Sequence, residues 1–171
     1  PERELKLRTE IIHALEKAAV STDRFIFAEN IPDSSFLTDN KVQVILTDHN
    51  AVPPSIGIPD TCICGIIDHH APEGDLISRP DIKVTLERTG SCATLVGELL
   101  LKKSAEENRE PDRSCALLLA GAILLDTYNF APETGTATEK DRRILDELVV
   151  KTGIDTEAWF RELKEKKTDF S

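Results

Sequence analysis

Val42-Gln43-Val44-Ile45-Leu46-Thr47-Asp48-His49-Asn50 and Ile63-Cys64-Gly65-Ile66-Ile67-Asp68-His69-His70 share one design, an apolar β-branched run that ends in aspartate and histidine. Runs of this kind, bounded by turn residues, predict buried strands of a parallel sheet. In open α/β sheets ligands gather beyond the carboxyl ends of the strands. Two Asp-His cassettes at such ends, Thr47–Asn50 and Asp68–His70, are therefore expected to converge on one small volume. Carboxylate and imidazole without thiolate suit Mn²⁺, Mg²⁺ or Co²⁺, and several carboxylates can hold two ions. The chemistry this points to is metal-dependent phosphoryl hydrolysis.

Around these cassettes the composition sets limits. The chain has 171 residues, 40% hydrophobic and 30% charged, which suits one globular domain with a sizeable core. No apolar stretch approaches the roughly 20 residues needed to span a bilayer. A formal net charge of -10 argues against sequence-independent nucleic-acid binding, which relies on clustered Lys and Arg. It also requires metal ions or another domain to supply a positive field for any polyanionic substrate. Methionine is absent, and Pro1-Glu2-Arg3-Glu4 has neither an initiator Met nor an apolar signal region. A piece of a longer protein, or a processed one, is expected. Of the four cysteines, Cys62, Cys64, Cys92 and Cys115, the pair Cys62-Ile63-Cys64 lacks the spacing of a zinc or thioredoxin motif and reads as small core hydrophobes on one strand face, and a reducing, cytoplasmic compartment is expected.

Along the chain, Thr9 is a plausible N-cap for a helix through Glu16, with His13 on its surface or boundary. Phe25-Ile26-Phe27 begins a first strand, the two cassette strands follow, and Lys83-Val84-Thr85-Leu86 makes a short fourth. Pro53-Pro54, Gly57 and Pro59 mark one loop; Pro72, Gly74 and Pro80 mark another. Helices then dominate: one from Ser91 to about Lys103, one opened by Pro111-Asp112-Arg113, one capped by Thr138 and stopped by Gly153, and a last from Asp155 to about Lys167. The result is an α/β fold, a mainly parallel sheet flanked by helices. The second helix, through Ala116–Leu125, is apolar all round and ends in Asp126. A carboxylate there is costly unless paired or bound to a cation, which makes Asp126 a candidate metal ligand. In Arg88-Thr89-Gly90-Ser91-Cys92-Ala93-Thr94, glycine allows close backbone approach and the helix start offers N–H groups to an anion. Three of the four histidines fall in the cassettes. An adjacent pair points its rings apart, so one ring can ligate metal while the other meets phosphate.

These residues resemble the DHH phosphoesterase superfamily, in the branch of prune-type proteins and cytosolic exopolyphosphatases. The resemblance covers nearly the whole chain. It rests on Thr47–Asn50, Ile66–His70, Gly90–Val96, Ala120–Thr127 and Gly135–Asp141, five blocks in the right order. It implies Mn²⁺ or Mg²⁺, with Co²⁺ as a third candidate, two ions per site in the full-length protein. Asp48, His69 and Asp126 are then the metal ligands. His70, Asp68 and His49 form the catalytic set, with His70 on phosphate and Asp68 orienting the histidines. Asn50, Arg88, Gly90 and Ser91 fall on the substrate side, where His49 and Asn50 could instead be supporting groups. The implied activity is hydrolysis of phosphoanhydride bonds in short polyphosphate or pyrophosphate. The competing readings are a phosphodiesterase for cyclic nucleotides or short oligonucleotides, and a signalling scaffold with protein partners. Relatives of this kind carry a further N-terminal strand with an Asp-x-Asp-Ser type motif and a second, basic domain, neither of which is found here. Residues 1–154 are thus expected to be a partial DHH domain and 155–171 a linker helix. The chain by itself is expected to bind metal weakly and turn over poorly.

Overall fold

The computed structural model describes residues 2–30, 34–39, 41–52 and 57–168. Pro53-Pro54 of the first expected loop lie outside the described residues. The chain divides into two compact units, 26–88 and 1–25 with 89–171.

The first unit holds a three-stranded sheet in the order β1 (Val44–Thr47), β2 (Ile63–Asp68), β3 (Lys83–Leu86). Both pairings are parallel: Leu46 faces Ile66 and Thr47 faces Ile67 on one side of β2, while Ile66 faces Val84 and Asp68 faces Leu86 on the other. The ladder runs on beyond the strands, because Asp48 N–H donates to the Ile67 carbonyl (2.9 Å) and Glu87 N–H to that of Asp68 (3.2 Å). Leu46, Ile63, Ile66, Leu76 and Ile82 form the buried core of this unit. Parallel strands need a crossover of a dozen or more residues, usually helical. Among the described residues each crossover here holds only a 3₁₀ turn, Asp60–Cys62 and Leu76–Ser78. A short helix, α3 (Ser34–Asp39), precedes β1.

The strand expected at Phe25-Ile26-Phe27 does not form. Turns flank it, Thr22–Arg24 capped by Ser21 and Ala28–Asn30, and the Asn30 side chain accepts the Phe27 N–H (2.8 Å). Ile26 is 81% exposed, so the β propensity of this trio finds no neighbouring strand to pack on.

The other unit is helical: α1 (Glu2–Lys6), α2 (Thr9–Lys17), α4 (Cys92–Glu106), α5 (Arg113–Asp126), α6 (Glu139–Thr152) and α7 (Thr156–Thr168). The apolar helix α5 packs against α2, α4, α6 and α7, and its Ala120, Ile123 and Leu124 are fully buried. Ser91 caps α4 through the Ala93 N–H, Asp112 caps α5 through that of Cys115, and Gly153 ends α6 in a left-handed conformation. Two helix starts differ from the sequence reading. Pro111 precedes the cap Asp112 instead of entering the first turn. Thr9 lies inside α2, whose cap position is Arg8, and its hydroxyl donates to the Lys166 carbonyl. All four cysteines are free thiols. Among the described residues no helix is long and apolar enough to cross a membrane.

Candidate metal centre

Asp48 leaves β1 with φ +66°, a left-handed backbone that aspartate tolerates better than most residues. Its N–H stays on the β-ladder, and the turn brings its carboxylate 3.3 Å from His69 Nε2 and 3.8 Å from His70 Nδ1. One ligand atom from each of Asp48, His69 and His70 lies within 4.8 Å of the other two. The two imidazoles meet edge to face, with centroids 4.3 Å apart.

Beneath them Asp68 ends β2 with no solvent exposure. One of its oxygens accepts His69 N–H (2.7 Å), His70 N–H (3.3 Å) and His70 Nδ1 (2.8 Å); the other accepts the Asn50 amide (2.5 Å). A carboxylate can only accept, so the proton on this edge of His70 sits on Nδ1. Burial alone would raise the Asp68 pKa, but the bonds from His70, Asn50 and the two amides outweigh it and hold the group below its usual range. His70 is shifted the other way, upward, chiefly by its bond to Asp68 against partial desolvation, with the charges of Asp68, Asp48 and Glu73 adding to it.

Asn50 is 3% exposed, and its side chain is fully engaged. Besides Asp68, its amide reaches the Ala71 carbonyl (3.0 Å), and its oxygen accepts the Glu73 N–H (2.6 Å). It ties the two cassettes and the following loop together. A cavity of about 490 Å³ opens beside this knot, lined by Asp48, His49, Asn50, Asp68, His70 and Glu73 among others. Glu73 was not legible in the sequence, because the bond that holds its backbone comes from Asn50, far away in the chain. Arg88 is exposed beyond β3 and is not part of that lining.

The remaining candidates lie in the helical unit. The amides of Gly90 and Ser91, which the sequence offers to phosphate, donate instead to the Asp141 carboxylate (2.8 and 3.3 Å). The anion held at the start of α4 is the chain's own. Asp126 is exposed, not buried, so its position imposes no desolvation demand for a cation; its Oδ2 accepts the Ser91 hydroxyl at 2.5 Å. Trp159, at 2% exposure, offers no face to a nucleobase.

No family model matches the chain. It is 32% identical over 167 residues to the mouse exopolyphosphatase PRUNE1, covering 98% of this chain and 34% of that protein. It is 33% identical over 128 residues to a cobalt-dependent inorganic pyrophosphatase of Clostridium perfringens, covering 74% of this chain and 22% of the other. The chain spans about a third of the length of the PRUNE1 relatives it matches. Its fold is similar to the crystal structure of a Methanococcus jannaschii family II inorganic pyrophosphatase, with TM-score 0.64, 24% identity, and coverage of 93% of this chain and 50% of that one. Read with the Asp-His cassettes at the strand ends, these likenesses agree with the resemblance of the chain to the DHH phosphoesterase superfamily, in its prune and exopolyphosphatase branch.

Proposed function

We propose that the chain carries the metal-binding half of a phosphohydrolase acting on phosphoanhydride bonds, with polyphosphate or pyrophosphate as substrate. The observation that carries this reading is the cluster of Asp48, His69 and His70 at the carboxyl ends of two parallel strands. Carboxylate and imidazole from Asp48 and His69 fit Mn²⁺, Co²⁺ or Mg²⁺, with His70 beside them bound to Asp68, and no thiolate joins the cluster among the described residues. The names of the relatives, manganese- and cobalt-dependent pyrophosphatases among them, support the same choice of metal.

A divalent ion held there supplies the positive charge that offsets phosphate and acidifies water. The chain's residues have separate tasks. Asp48 and His69 hold the ion, and Asp126 is the carboxylate ligand proposed for the helical unit. Asp68 fixes Nδ1–H of His70, which turns Nε2 toward substrate to donate a hydrogen bond or a proton to the leaving phosphate. Asn50 is better read as the group that anchors Asp68 than as a substrate contact, since its side chain is already fully engaged. His49 and Glu73 line the cavity and meet what enters it. Among the described residues the cavity lining carries Asp48, Asp68 and Glu73 and no Lys or Arg, so at this lining the positive charge that draws in a phosphate chain comes from the metal. Free thiols and the cytosolic character of the branch support a cytoplasmic location.

Calorimetry with Mn²⁺ on the chain and its Asp48→Ala variant tests the centre, and phosphate release from polyphosphate, pyrophosphate and a cyclic dinucleotide tests the substrate. The expected result is weak Mn²⁺ binding that Asp48→Ala abolishes, with the slow phosphate release of this chain coming from the anhydrides and not from the cyclic diester. Binding that survives Asp48→Ala unchanged would overturn the metal assignment.

A further inference from the structure

The Asp141 carboxylate is fully buried and accepts five hydrogen bonds. Two come from its own capping box, the N–H (2.7 Å) and hydroxyl (2.6 Å) of Thr138. Three come from the start of α4, the N–H groups of Gly90 and Ser91 and the Thr94 hydroxyl (2.5 Å). A capping box needs only the Thr138 N–H among these, with the Asp141 N–H donated to the Thr138 hydroxyl oxygen in return. The three from the start of α4 fix the backbone at Ser91. The Thr89 hydroxyl holds the Ser91 carbonyl from the other side (2.8 Å). Space is tight as well: a Cβ on Gly90 would lie 2.9 Å from Thr127 Cγ2 and the Thr136 carbonyl and 3.0 Å from Asp141 Oδ2. From this fixed backbone the Ser91 hydroxyl accepts the Ala93 N–H (3.2 Å) and donates to Asp126 Oδ2. An exposed aspartate at a helix end has several rotamers open to it, and this chain of bonds selects one.

We infer that Asp141 is a positioning residue for Asp126, acting through the backbone and hydroxyl of Ser91. Its consequence for metal binding rests on the proposal that Asp126 is a ligand; the positioning itself does not. Bonds behind a metal ligand commonly govern affinity by about 10-fold or more.

The test uses the full chain with Asp141→Asn, Ser91→Ala, the double variant, Asp126→Ala, and Thr138→Ala as a control for stability. Asparagine at 141 keeps one acceptor oxygen but replaces the other with a donor that faces N–H groups. Asp141→Asn and Ser91→Ala should each weaken Mn²⁺ binding about tenfold. The double variant should be no weaker than either, because both act on one route. Thr138→Ala should lower the melting temperature yet leave Mn²⁺ affinity within about twofold, because it cuts the cap and spares Ser91. In metal-free protein the slowly exchanging Ser91 hydroxyl proton, seen by NMR, should disappear in Asp141→Asn while helical circular dichroism persists. Additive losses in the double variant, or an intact Ser91 hydroxyl signal in Asp141→Asn, would overturn the inference. If Asp126→Ala binds Mn²⁺ as the wild type does, the ligand assignment of Asp126 fails, and the hydroxyl signal alone then decides the positioning.

Discussion

At Asp68 both carboxylate oxygens are engaged, and the partners differ in kind. Three donors crowd one oxygen, and the Asn50 amide meets the other. Asn50 cannot turn to help a changed neighbour, because its own oxygen holds the Glu73 N–H. Asp68→Asn therefore sets an amide donor against the Asn50 donor or, flipped, against the His69 and His70 N–H groups. A buried donor left facing a donor costs about 1–3 kcal/mol. The variant should unfold more easily by that amount in urea, and ¹⁵N NMR should show His70 losing its fixed Nδ1–H tautomer. An unchanged tautomer would mean that the backbone, not Asp68, orients the ring. This residue-scale logic was partly legible. The strand-end aspartate and histidines declare themselves in the sequence, since such groups at such positions have few other uses. The carboxylate of Glu73 and the second task of Asp141 do not, because each depends on hydrogen bonds between residues far apart in the chain.

Elements announced by their own chemistry were read correctly, and those that depend on neighbours were not. β2, β3 and the Thr138-to-Gly153 helix carry their signals locally, in β-branched runs, a capping box and a glycine stop. Phe25-Ile26-Phe27 has equal strand propensity but sits between turns, and the short helices α1 and α3 carry no apolar period long enough to register. Neither is there a sequence signal for the turn after α5, where Tyr128, Asn129 and Phe130 all take positive φ (50°, 53° and 61°). A left-handed residue costs roughly 1–2 kcal/mol, more than the roughly 0.5–1 kcal/mol that glycine loses in chain entropy. Tyr128 is 56% exposed and Phe130 stacks under Arg142, so Tyr128 is the one to change. Tyr128→Gly should raise the melting temperature by about 1–2 °C, read by circular dichroism. The α4–α6 junction makes an opposite prediction with pH. Burial would raise the Asp141 pKa, but bonds from Thr138, Thr94 and Gly90 bring it below the ordinary value. A depressed folded pKa contributes stability in full above the unfolded value of about 3.9, and that stability is lost as pH falls through the folded value. Melting temperature should drop steeply below about pH 4, and Asp141→Asn, less stable at neutral pH, should show a shallower acid slope.

The two units differ in how much they bury, and that difference sets which opens first. The helical unit centres on α5, with Ala120, Ile123, Leu124 and Leu148 wholly removed from solvent. Among the described residues the sheet unit relies on a single cluster of five buried apolar side chains and three short strands, with Ile45 of β1 58% exposed. A core that small supplies only a few kcal/mol. Opening free energies follow buried apolar contact, so amides of 44–47 and 63–68 should exchange with deuterium faster than those of 116–124 and 144–148. The proposed metal ligands Asp48 and His69 belong to the weaker unit, and a ligand that binds only the folded form stabilises by about 2.7 kcal/mol at 100 times its dissociation constant. Mn²⁺ should therefore slow exchange about 100-fold in β1 and β2, where opening destroys the ligand set, and the gain should vanish in Asp48→Ala. Hydrogen exchange followed by mass spectrometry resolves both units in one experiment. Equal protection in the two units without metal would show that they open as one body. Protection by Mn²⁺ that bypassed the strands would move the metal away from Asp48.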